Sequence, residues 1–320
     1  MNDEIKKTAV LGGGLIGSSW AVNFIWKGIR VHVYDISDAA LKTAENRVRD
    51  NMDYLVSKGI LTEHGVSIAL ALVEYTTSIK EAVEDARFLQ ESVLENYEVK
   101  QRLLAEVDEY APADALFASS TSGLLITEIA KNSPHPERCL GAHPYNPPHL
   151  VPLVEISKGE KTGQEAVKRA CDFYRSLGKE PVVLKKEVPG FIANRLSMAL
   201  YREAVDLVTK GVCSVEEIDK AVNFGPGLRY ALMGPNLIYQ LGGGKFGIQG
   251  LLKHVENSVE LWLEDMADWK KFPPHWNRMA QEGVSSEMAN RAPEQGRTNE
   301  EIARWRDDGL IEILKFLKKI

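Results

Sequence analysis

A glycine-rich turn near the start of the chain constrains its fold more than any other feature of the sequence. The residues Gly-Gly-Gly-Leu-Ile-Gly at positions 12–17 follow a short apolar run and precede an amphipathic stretch. A G-x-G-x-x-G pattern between a strand and a helix is typical of dinucleotide-binding folds. In such a turn Gly12 permits the tight bend, Gly14 lets a pyrophosphate approach the backbone, and Gly17 lets the helix pack closely on the strand.

The residues around this turn also predict which dinucleotide binds. Leu15 and Ile16 open the helix, whose first amide groups and partial positive charge would face the phosphates. Asp35 ends the next predicted strand, 18 residues after Gly17. Its carboxylate is placed to accept hydrogen bonds from the ribose hydroxyls, and it would repel the 2′-phosphate of NADP. We therefore predict NAD as the cofactor; in the alternative, the glycines only form a turn and Asp35 caps a helix.

Short apolar runs alternate with longer amphipathic stretches through the first half of the chain. Strands are predicted at 8–11, 29–34, 88–89, 115–118, 139–142 and 181–184. Strands separated by helices indicate βαβ units and a parallel sheet, with a pair of helices predicted within 39–75. From Phe191 onward no strand pattern occurs, and 191–209 predicts one long helix. The predicted fold class is α/β: a Rossmann-type doubly wound parallel sheet domain over 1–186, followed by an all-α C-terminal domain over 187–320.

Composition and charge argue against several classes of protein. Of the 320 residues, 44% are hydrophobic, which allows a sizeable core and excludes global disorder. The net charge of −6 argues against a nucleic-acid-binding protein, and no apolar run is long enough to predict a membrane-spanning helix. The acidic first four residues lack the pattern of a signal peptide. Three widely spaced cysteines predict neither a disulfide framework nor a zinc site, so we expect a cytoplasmic protein.

A histidine and a carboxylate form a candidate pair of catalytic residues. His143 follows the predicted strand 139–142, at the carboxyl end of the sheet where ligands bind in such folds. The ordinary pKa of histidine, near 6.5, suits a general base at neutral pH. Glu155 follows an apolar run, so we expect it to be partly buried and to need a partner such as an imidazole N–H. In the alternatives, His143 is a structural histidine, or it binds a metal together with His149; we predict no metal site.

The hydroxyl-rich segment 119–123 follows another predicted strand. Its side chains either cap the helix predicted around 125–131 or face a substrate at the edge of the sheet. No segment of the chain has the pattern of a nucleophile elbow or of a serine triad.

Taken together, these segments resemble the 3-hydroxyacyl-CoA dehydrogenase family, and the resemblance extends over nearly the whole chain. Five motifs carry it, in the same order along the sequence: 12–17, 95–100, 117–122, 143–155 and 189–195. The resemblance implies that His143 and Glu155 form a catalytic dyad. It also implies that Ser122 and Asn194 lie close to the reacting oxygen of a small-molecule substrate.

The same resemblance implies further cofactor contacts and a partner. Asn146 would lie on the nicotinamide side of the cofactor, and Glu95 with Lys100 would contact NAD. The helical domain would join two copies of the chain in a homodimer. Without the resemblance, Asn194 is simply a polar residue on the long predicted helix.

Within the family, the finer pattern resembles the branch that acts on free hydroxy acids, which includes L-gulonate 3-dehydrogenases and L-carnitine dehydrogenases. The residues His-Pro-Tyr-Asn-Pro begin at His143, where the thioester enzymes typically have His-Phe-Phe-Asn-Pro. Arg229 lies in the segment 225–235, which is usually shorter in the thioester enzymes and lacks this arginine. Its planar guanidinium suits both oxygens of a free carboxylate, the alternative being an ion pair at the surface or at an interface.

The predicted reaction is the NAD-dependent oxidation of the 3-hydroxyl of an L-3-hydroxy acid to the 3-keto acid. His143 takes the hydroxyl proton, and Glu155 holds the imidazole in the required tautomer. Two alternatives stay open at this point. One is a dehydrogenase of L-3-hydroxyacyl-CoA thioesters, and the other is a structural protein, because one relative in this branch serves as a lens crystallin.

Overall fold

The computed structural model describes residues 5–320, so the acidic first four residues lie outside the described part of the chain. The chain divides into two compact units. The first extends to Asn194 and includes residues 318–320, and the second comprises Arg195–Leu317. The sequence predicts a domain boundary at 186–187, eight residues before the end of the main segment of the first unit; that boundary remains a prediction. Among the described residues, no helix combines the length and the apolar character needed to cross a membrane.

The first unit contains one sheet of eight strands connected mainly by helices, which confirms the predicted Rossmann-type α/β fold. The strands are β1 (Lys7–Leu11), β2 (Arg30–Tyr34), β3 (Val73–Thr76), β4 (Phe88–Glu91), β5 (Leu116–Ser119), β6 (Cys139–Pro144), β7 (Leu153–Lys158) and β8 (Glu180–Val183). Their order in the sheet is β3-β2-β1-β4-β5-β6-β7-β8, and only the pair β6–β7 is antiparallel. The strand order reverses between β1 and β4, which is where such sheets form a ligand-binding crevice.

The helices of the first unit follow the strands in chain order. They are α1 (Leu15–Trp26), α2 (Asp38–Ser57), α3 (Glu63–Leu70), α4 (Ile79–Val83), α5 (Tyr97–Tyr110), α6 (Ile126–Ile129) and α7 (Gln164–Ser176). The helix pair expected within 39–75 corresponds to α2 and α3. Ser37 and Thr62 cap these two helices, because their side chains accept hydrogen bonds from backbone amides of the first turn.

The central strands are buried along almost their whole length. Val10, Leu89 and Phe117, from three neighbouring strands, are completely buried. A parallel sheet covered on both faces requires apolar residues at successive positions, because both faces of each strand pack against other elements. The sequence shows this requirement as short uninterrupted apolar runs, which is why these strands could be predicted.

Two strands of the sheet were missing from the prediction. β3 lies at the edge of the sheet, and its half-buried or exposed residues give it a weak apolar pattern. β7 contains Glu155 in its interior, between the buried residues Val154 and Ile156. The sequence suggested that the apolar run ends before Glu155, whereas the strand continues through it. A carboxylate inside a strand interrupts the pattern that identifies the strand.

The second unit consists of helices and connecting segments, as expected for an all-α C-terminal region. Its first long helix, α8 (Ala193–Thr209), starts at the end of the first unit. The remaining helices are α9 (Val215–Val222), α10 (Leu228–Tyr230), α11 (Pro235–Gly242), α12 (Gly247–Asp265), α13 (Trp276–Asn290) and α14 (Asn299–Phe316). Capping boxes at Ser214 and Thr298 define the starts of α9 and α14.

Candidate active site

The glycine turn connects β1 to α1 at the point where the strand order reverses. Gly12 has a φ of +105°, which favours glycine, and a Cβ at this position would lie 2.7 Å from the carbonyl oxygen of Ser92. A Cβ on Gly17 would lie 1.8 Å from the carbonyl oxygen of Gly12. Both positions therefore exclude side chains for steric reasons, as the sequence pattern predicted.

The start of α1 is open toward the crevice. Gly14 is its N-cap residue and supplies no capping side chain, and a Cβ built on Gly14 would meet no non-neighbouring heavy atom within 4 Å. Leu15 and Ile16 form the first helical turn, with the side chain of Leu15 60% exposed. Uncapped amides at a helix N-terminus, with space above them, fit the pyrophosphate of a dinucleotide.

Asp35 lies directly after β2 and contacts the glycine turn. Its Oδ2 accepts a hydrogen bond of 2.7 Å from the Gly13 amide, and its Oδ1 accepts one of 2.7 Å from the Ile36 amide. The N-cap of α2 is Ser37, so Asp35 does not serve as a helix cap. Each carboxylate oxygen retains a second lone pair, so both oxygens can also accept ribose hydroxyls.

His143 and Glu155 are brought together by the one antiparallel pairing in the sheet. Residue pairing between β6 and β7 places these two residues directly opposite each other. The distance between His143 Nδ1 and Glu155 Oε2 is 2.8 Å, and both side chains are buried. The second carboxylate oxygen, Oε1, accepts hydrogen bonds from the backbone amides of Ile192 at 2.8 Å and Ala193 at 2.9 Å. Glu155 therefore joins the histidine to the start of α8.

The surroundings of Glu155 keep it ionised. Burial by itself raises the pKa of this carboxyl, because it disfavours the charged form. Hydrogen bonds from His143, Ala193 and Ile192 outweigh burial and hold the pKa below its ordinary value. Because the ionised carboxylate accepts at Nδ1, we assign the proton of neutral His143 to that nitrogen, which leaves Nε2 as the proton acceptor.

Phe191 completes the packing around the histidine, and the sequence prediction assigned it no function. It is fully buried, and its ring centroid lies 5.8 Å from that of His143. Its φ of +49° is uncommon for a residue other than glycine. This left-handed residue turns the chain just before α8, where the amides of Ile192 and Ala193 reach Glu155.

Ser122 and Asn194 also lie close together. Asn194 Nδ2 donates a hydrogen bond of 3.1 Å to the carbonyl oxygen of Ser122. The Ser122 amide donates to Glu95 Oε1 at 2.7 Å, and the Thr121 hydroxyl donates to the same oxygen at 2.7 Å. The amides at the start of α6 are instead satisfied by Glu187, which accepts from Ile126 at 2.6 Å. Glu187, and not a hydroxyl of the segment 119–123, therefore caps α6.

Lys100 is a buried cation placed between two carboxylates. Its ammonium group lies 2.7 Å from Glu91 Oε1 and 3.3 Å from Glu95 Oε2, and its side chain is only 1% exposed. The hydroxyl of Ser119 donates to Glu91 at 2.5 Å. The ammonium thus links Glu95, and through it the turn at Ser122, to the end of β4.

The remaining predicted site residues occupy different parts of the chain. Asn146 is exposed in the segment between β6 and β7, whereas Arg229 is exposed on α10 of the other unit. His149 is buried and forms a hydrogen bond of 2.8 Å with Ser19, through its Nδ1. Within residues 5–320, no three His, Cys, Asp or Glu side chains are grouped so that they could hold a metal ion.

Comparison with known proteins identifies the family of the chain. The NAD-binding domain of 3-hydroxyacyl-CoA dehydrogenase matches residues 7–188, and the C-terminal domain of the same family matches residues 190–284. The L-carnitine dehydrogenase of Pseudomonas aeruginosa is 38% identical over 317 residues, which cover 99% of this chain and 95% of the relative.

Solved structures show the same similarity. The structure of 5-formyl-3-hydroxy-2-methylpyridine 4-carboxylic acid 5-dehydrogenase, an NAD-dependent dismutase, has a TM-score of 0.80 at 30% identity and covers 98% of both chains. The (S)-3-hydroxybutyryl-CoA dehydrogenase of Ralstonia eutropha has a TM-score of 0.69 at 27% identity and covers 88% of this chain and 95% of its own. The glycine turn, the strand order and these matches lead to one conclusion: the chain belongs to the 3-hydroxyacyl-CoA dehydrogenase family and is an NAD-dependent oxidoreductase.

Proposed function

We propose that this dehydrogenase oxidises a free L-3-hydroxy acid, with L-carnitine or a close analogue as the substrate. The observation that carries the proposal is the buried pair His143–Glu155, with 2.8 Å between Nδ1 and Oε2, at the crevice edge of the sheet. The chain's similarity to L-carnitine dehydrogenases over nearly its full length supports a free acid over a thioester. The same similarity favours carnitine-like substrates over L-gulonate.

The chemistry follows from the position of the two titratable groups. In the oxidation direction, His143 accepts the proton of the 3-hydroxyl, and Glu155 stabilises the imidazolium that forms. NAD, when bound, supplies the acceptor for the hydride that leaves C3. Ser122 and Asn194 hold the reacting oxygen and polarise the carbonyl that forms there.

In this proposal three parts of the protein hold the cofactor. The glycine turn with Leu15 and Ile16 receives the pyrophosphate, and Asp35 receives the adenosine ribose. Asn146 and Glu95 lie toward the nicotinamide, and Lys100 acts on that side through the carboxylate of Glu95.

Arg229 is the proposed ligand of the substrate carboxylate. Arg229 is exposed, and no carboxylate among residues 5–320 forms an ion pair with it. A planar guanidinium binds a free carboxylate through two parallel hydrogen bonds. A CoA thioester has no carboxylate at the corresponding carbon, so this role distinguishes the two substrate classes.

A second copy of the chain is the proposed partner of the helical unit. Helices α9, α10 and α11 contain no buried residue. Large apolar side chains on and near these helices are more than half exposed: Phe224, Leu228, Tyr230, Leu232, Leu237 and Leu241. Apolar surface of this kind marks protein interfaces, and closed two-fold dimers are the commonest assemblies. We therefore propose a homodimer formed through this surface.

The test of the proposed reaction is NADH formation by the purified protein with four substrates compared side by side. These are L-carnitine, L-gulonate, L-3-hydroxybutyrate and L-3-hydroxybutyryl-CoA, with D-carnitine as the stereochemical control. We expect the highest kcat/KM with L-carnitine and no turnover of the D isomer. An Arg229→Ala variant should lose this preference by raising KM for the free acid. A higher kcat/KM for the CoA thioester would contradict the proposal, and the dyad would then serve the thioester reaction.

A further inference from the structure

The segment 145–152, here called the β6–β7 loop, joins the two strands that carry the dyad. It begins two residues after His143 and contains Asn146. One anchor of this loop is Ser19 on α1, whose hydroxyl accepts a hydrogen bond of 2.9 Å from the His149 amide. The same hydroxyl lies 2.8 Å from His149 Nδ1. The loop is thus tied to the helix that begins at the glycine turn.

A buried lysine supplies the second anchor. Lys179 directly precedes β8 and is 4% exposed. Its ammonium group donates hydrogen bonds to two carbonyl oxygens of the β6–β7 loop, those of Pro148 and of Val151, the latter at 3.2 Å. The same group lies 5.4 Å from the ring centroid of Trp20, the residue after Ser19 on α1. Loop, helix and lysine therefore meet at one point.

The charge of Lys179 has no acidic partner. Within residues 5–320 no carboxylate forms an ion pair with it, and the charged group that acts on it is another cation, Lys27. Burial, together with repulsion from Lys27, lowers the pKa of Lys179 to about 7. An apolar side chain of similar length would avoid the cost of burying an amine. It would also remove the hydrogen-bond donor to the carbonyl oxygens of Pro148 and Val151. The contribution of the amine is therefore its hydrogen bonds to the loop.

We propose that Lys179 is a positioning residue of the cofactor site, which fixes the β6–β7 loop, and with it Asn146, against helix α1. The glycine turn at the start of α1 and the loop after β6 then form one rigid frame. This inference rests on the proposed placement of Asn146 on the nicotinamide side. Lys179 itself acts through the backbone of the loop.

The test measures NADH affinity, since this quantity does not depend on knowing the substrate. Lys179→Met keeps the length of the side chain and removes both hydrogen bonds. We expect NADH, titrated by its fluorescence, to bind about 5- to 50-fold more weakly, the range for losing two such bonds. Lys168→Met is the matched control, because Lys168 is an exposed lysine on α7 whose ion-pair partner, Asp172, lies on the same helix; the affinity of this variant for NADH should stay within about twofold.

A double-mutant cycle shows whether the effect passes through Asn146. If it does, Lys179→Met will weaken NADH binding little further in an Asn146→Ala background. Two effects that simply multiply, or a Lys179→Met variant that binds NADH normally, would overturn the inference. If Lys179→Met does not fold, Lys179→Gln, which retains a hydrogen-bond donor, takes its place. We then expect a loss of NADH affinity between that of the unmodified protein and that expected for Lys179→Met. Failure of the free-acid proposal appears only in turnover, whereas failure here appears in NADH affinity.

Discussion

The carboxylate of Glu155 is almost fully buried and yet remains charged, because three N–H donors surround it. His143 Nδ1 occupies one oxygen, and two backbone amides occupy the other. A buried ion with this many donors is satisfied, whereas removal of one partner from a buried charged pair is strongly destabilising. Glu155 is therefore fixed in position and charge before a substrate binds, which fits its proposed role of orienting His143 as a base.

The proposed role of His143 as the base predicts a loss of turnover without a loss of cofactor binding. His143→Ala should lower kcat by about two to four orders of magnitude, the usual contribution of a general base. Fluorescence titration should show NADH affinity within about twofold of the unmodified protein, because the glycine turn is untouched. Near-normal turnover in this variant would remove His143 as the base.

The charge of Asp35 should set the preference for NAD over NADP. Asp35→Asn keeps an oxygen that can accept from the Gly13 amide and removes the negative charge. We expect NADPH to gain on NADH by about tenfold or more in relative affinity, because repulsion of the 2′-phosphate is lost. Titrations with both reduced cofactors measure this ratio, and an unchanged ratio would show that Asp35 has no part in the discrimination.

Lys179 makes the stability of the protein depend on pH in a predictable direction. Its pKa is about 7 in the folded chain and 10.5 as a free side chain, so between these values the unfolded chain binds more protons. Lys179 should therefore make stability rise from pH 7 to pH 10, by up to about 1.4 kcal/mol per pH unit. Urea unfolding of Lys179→Met should lack this contribution. Equal slopes in the two proteins would show that the amine is not buried in solution.

At the scale of secondary-structure elements, the start of α8 matters most. Phe191 adopts a left-handed conformation that costs about 1–3 kcal/mol. Its ring packs on His143, and the turn that it forms directs two amides to Glu155. The strained turn at Phe191 thus allows two hydrogen bonds that hold Glu155 in place.

Ala193 offers a direct test of this role of α8. Ala193→Pro removes one amide donor at the first helical position, where proline is tolerated. The pKa of Glu155 should rise, since a hydrogen bond that lowers it is lost, and kcat should fall about 3- to 10-fold as the carboxylate loses an anchor. Ala193→Gly, which keeps the amide, is the control and should retain activity. The kcat–pH profile should move its acidic limb upward in the proline variant only; identical profiles would argue against this role.

At the scale of the whole molecule, one reversal of strand direction brings His143 and Glu155 together. β6 and β7 run antiparallel, while every other pair of neighbours in the sheet is parallel. The return strand places Glu155 opposite His143 although twelve residues separate them in the chain. The two units differ in how they bury apolar residues. The first buries the apolar side chains of its central strands, whereas the second exposes large apolar side chains on several helices.

If the proposed homodimer forms through α11, negative charges introduced on this helix should dissociate it into monomers. Leu237 and Leu241 lie one helical turn apart and are 60% and 68% exposed. The double variant Leu237→Glu with Leu241→Glu should sediment as a monomer, because a charge buried at an interface is unfavourable. Ile68→Glu, at a 56% exposed apolar position on α3 of the first unit, is the control and should remain a dimer. A monomeric unmodified protein would contradict the prediction.

The candidate site could be predicted in part from local patterns. The glycine turn with Asp35 was readable because its residues follow one another within a single βαβ unit, and the structure places them in contact. The pairing of His143 with Glu155 agreed with a general argument about buried carboxylates. The roles of Phe191 and of the two donor amides at the start of α8 could not be predicted from the sequence, because backbone groups and φ angles leave no pattern in residue types.

The sequence by itself determined the class of fold, six of the eight strands and the cofactor, because apolar periodicity and glycine spacing are local properties. Tertiary structure alone decided which distant residues meet: the strand reversal that pairs His143 with Glu155, and the amine of Lys179 on the β6–β7 loop. It also decided the state of those groups. Hydrogen bonds hold the pKa of Glu155 below its ordinary value despite burial, whereas burial and repulsion from Lys27 lower the pKa of Lys179; both shifts depend on neighbours that the chain brings together only when it folds.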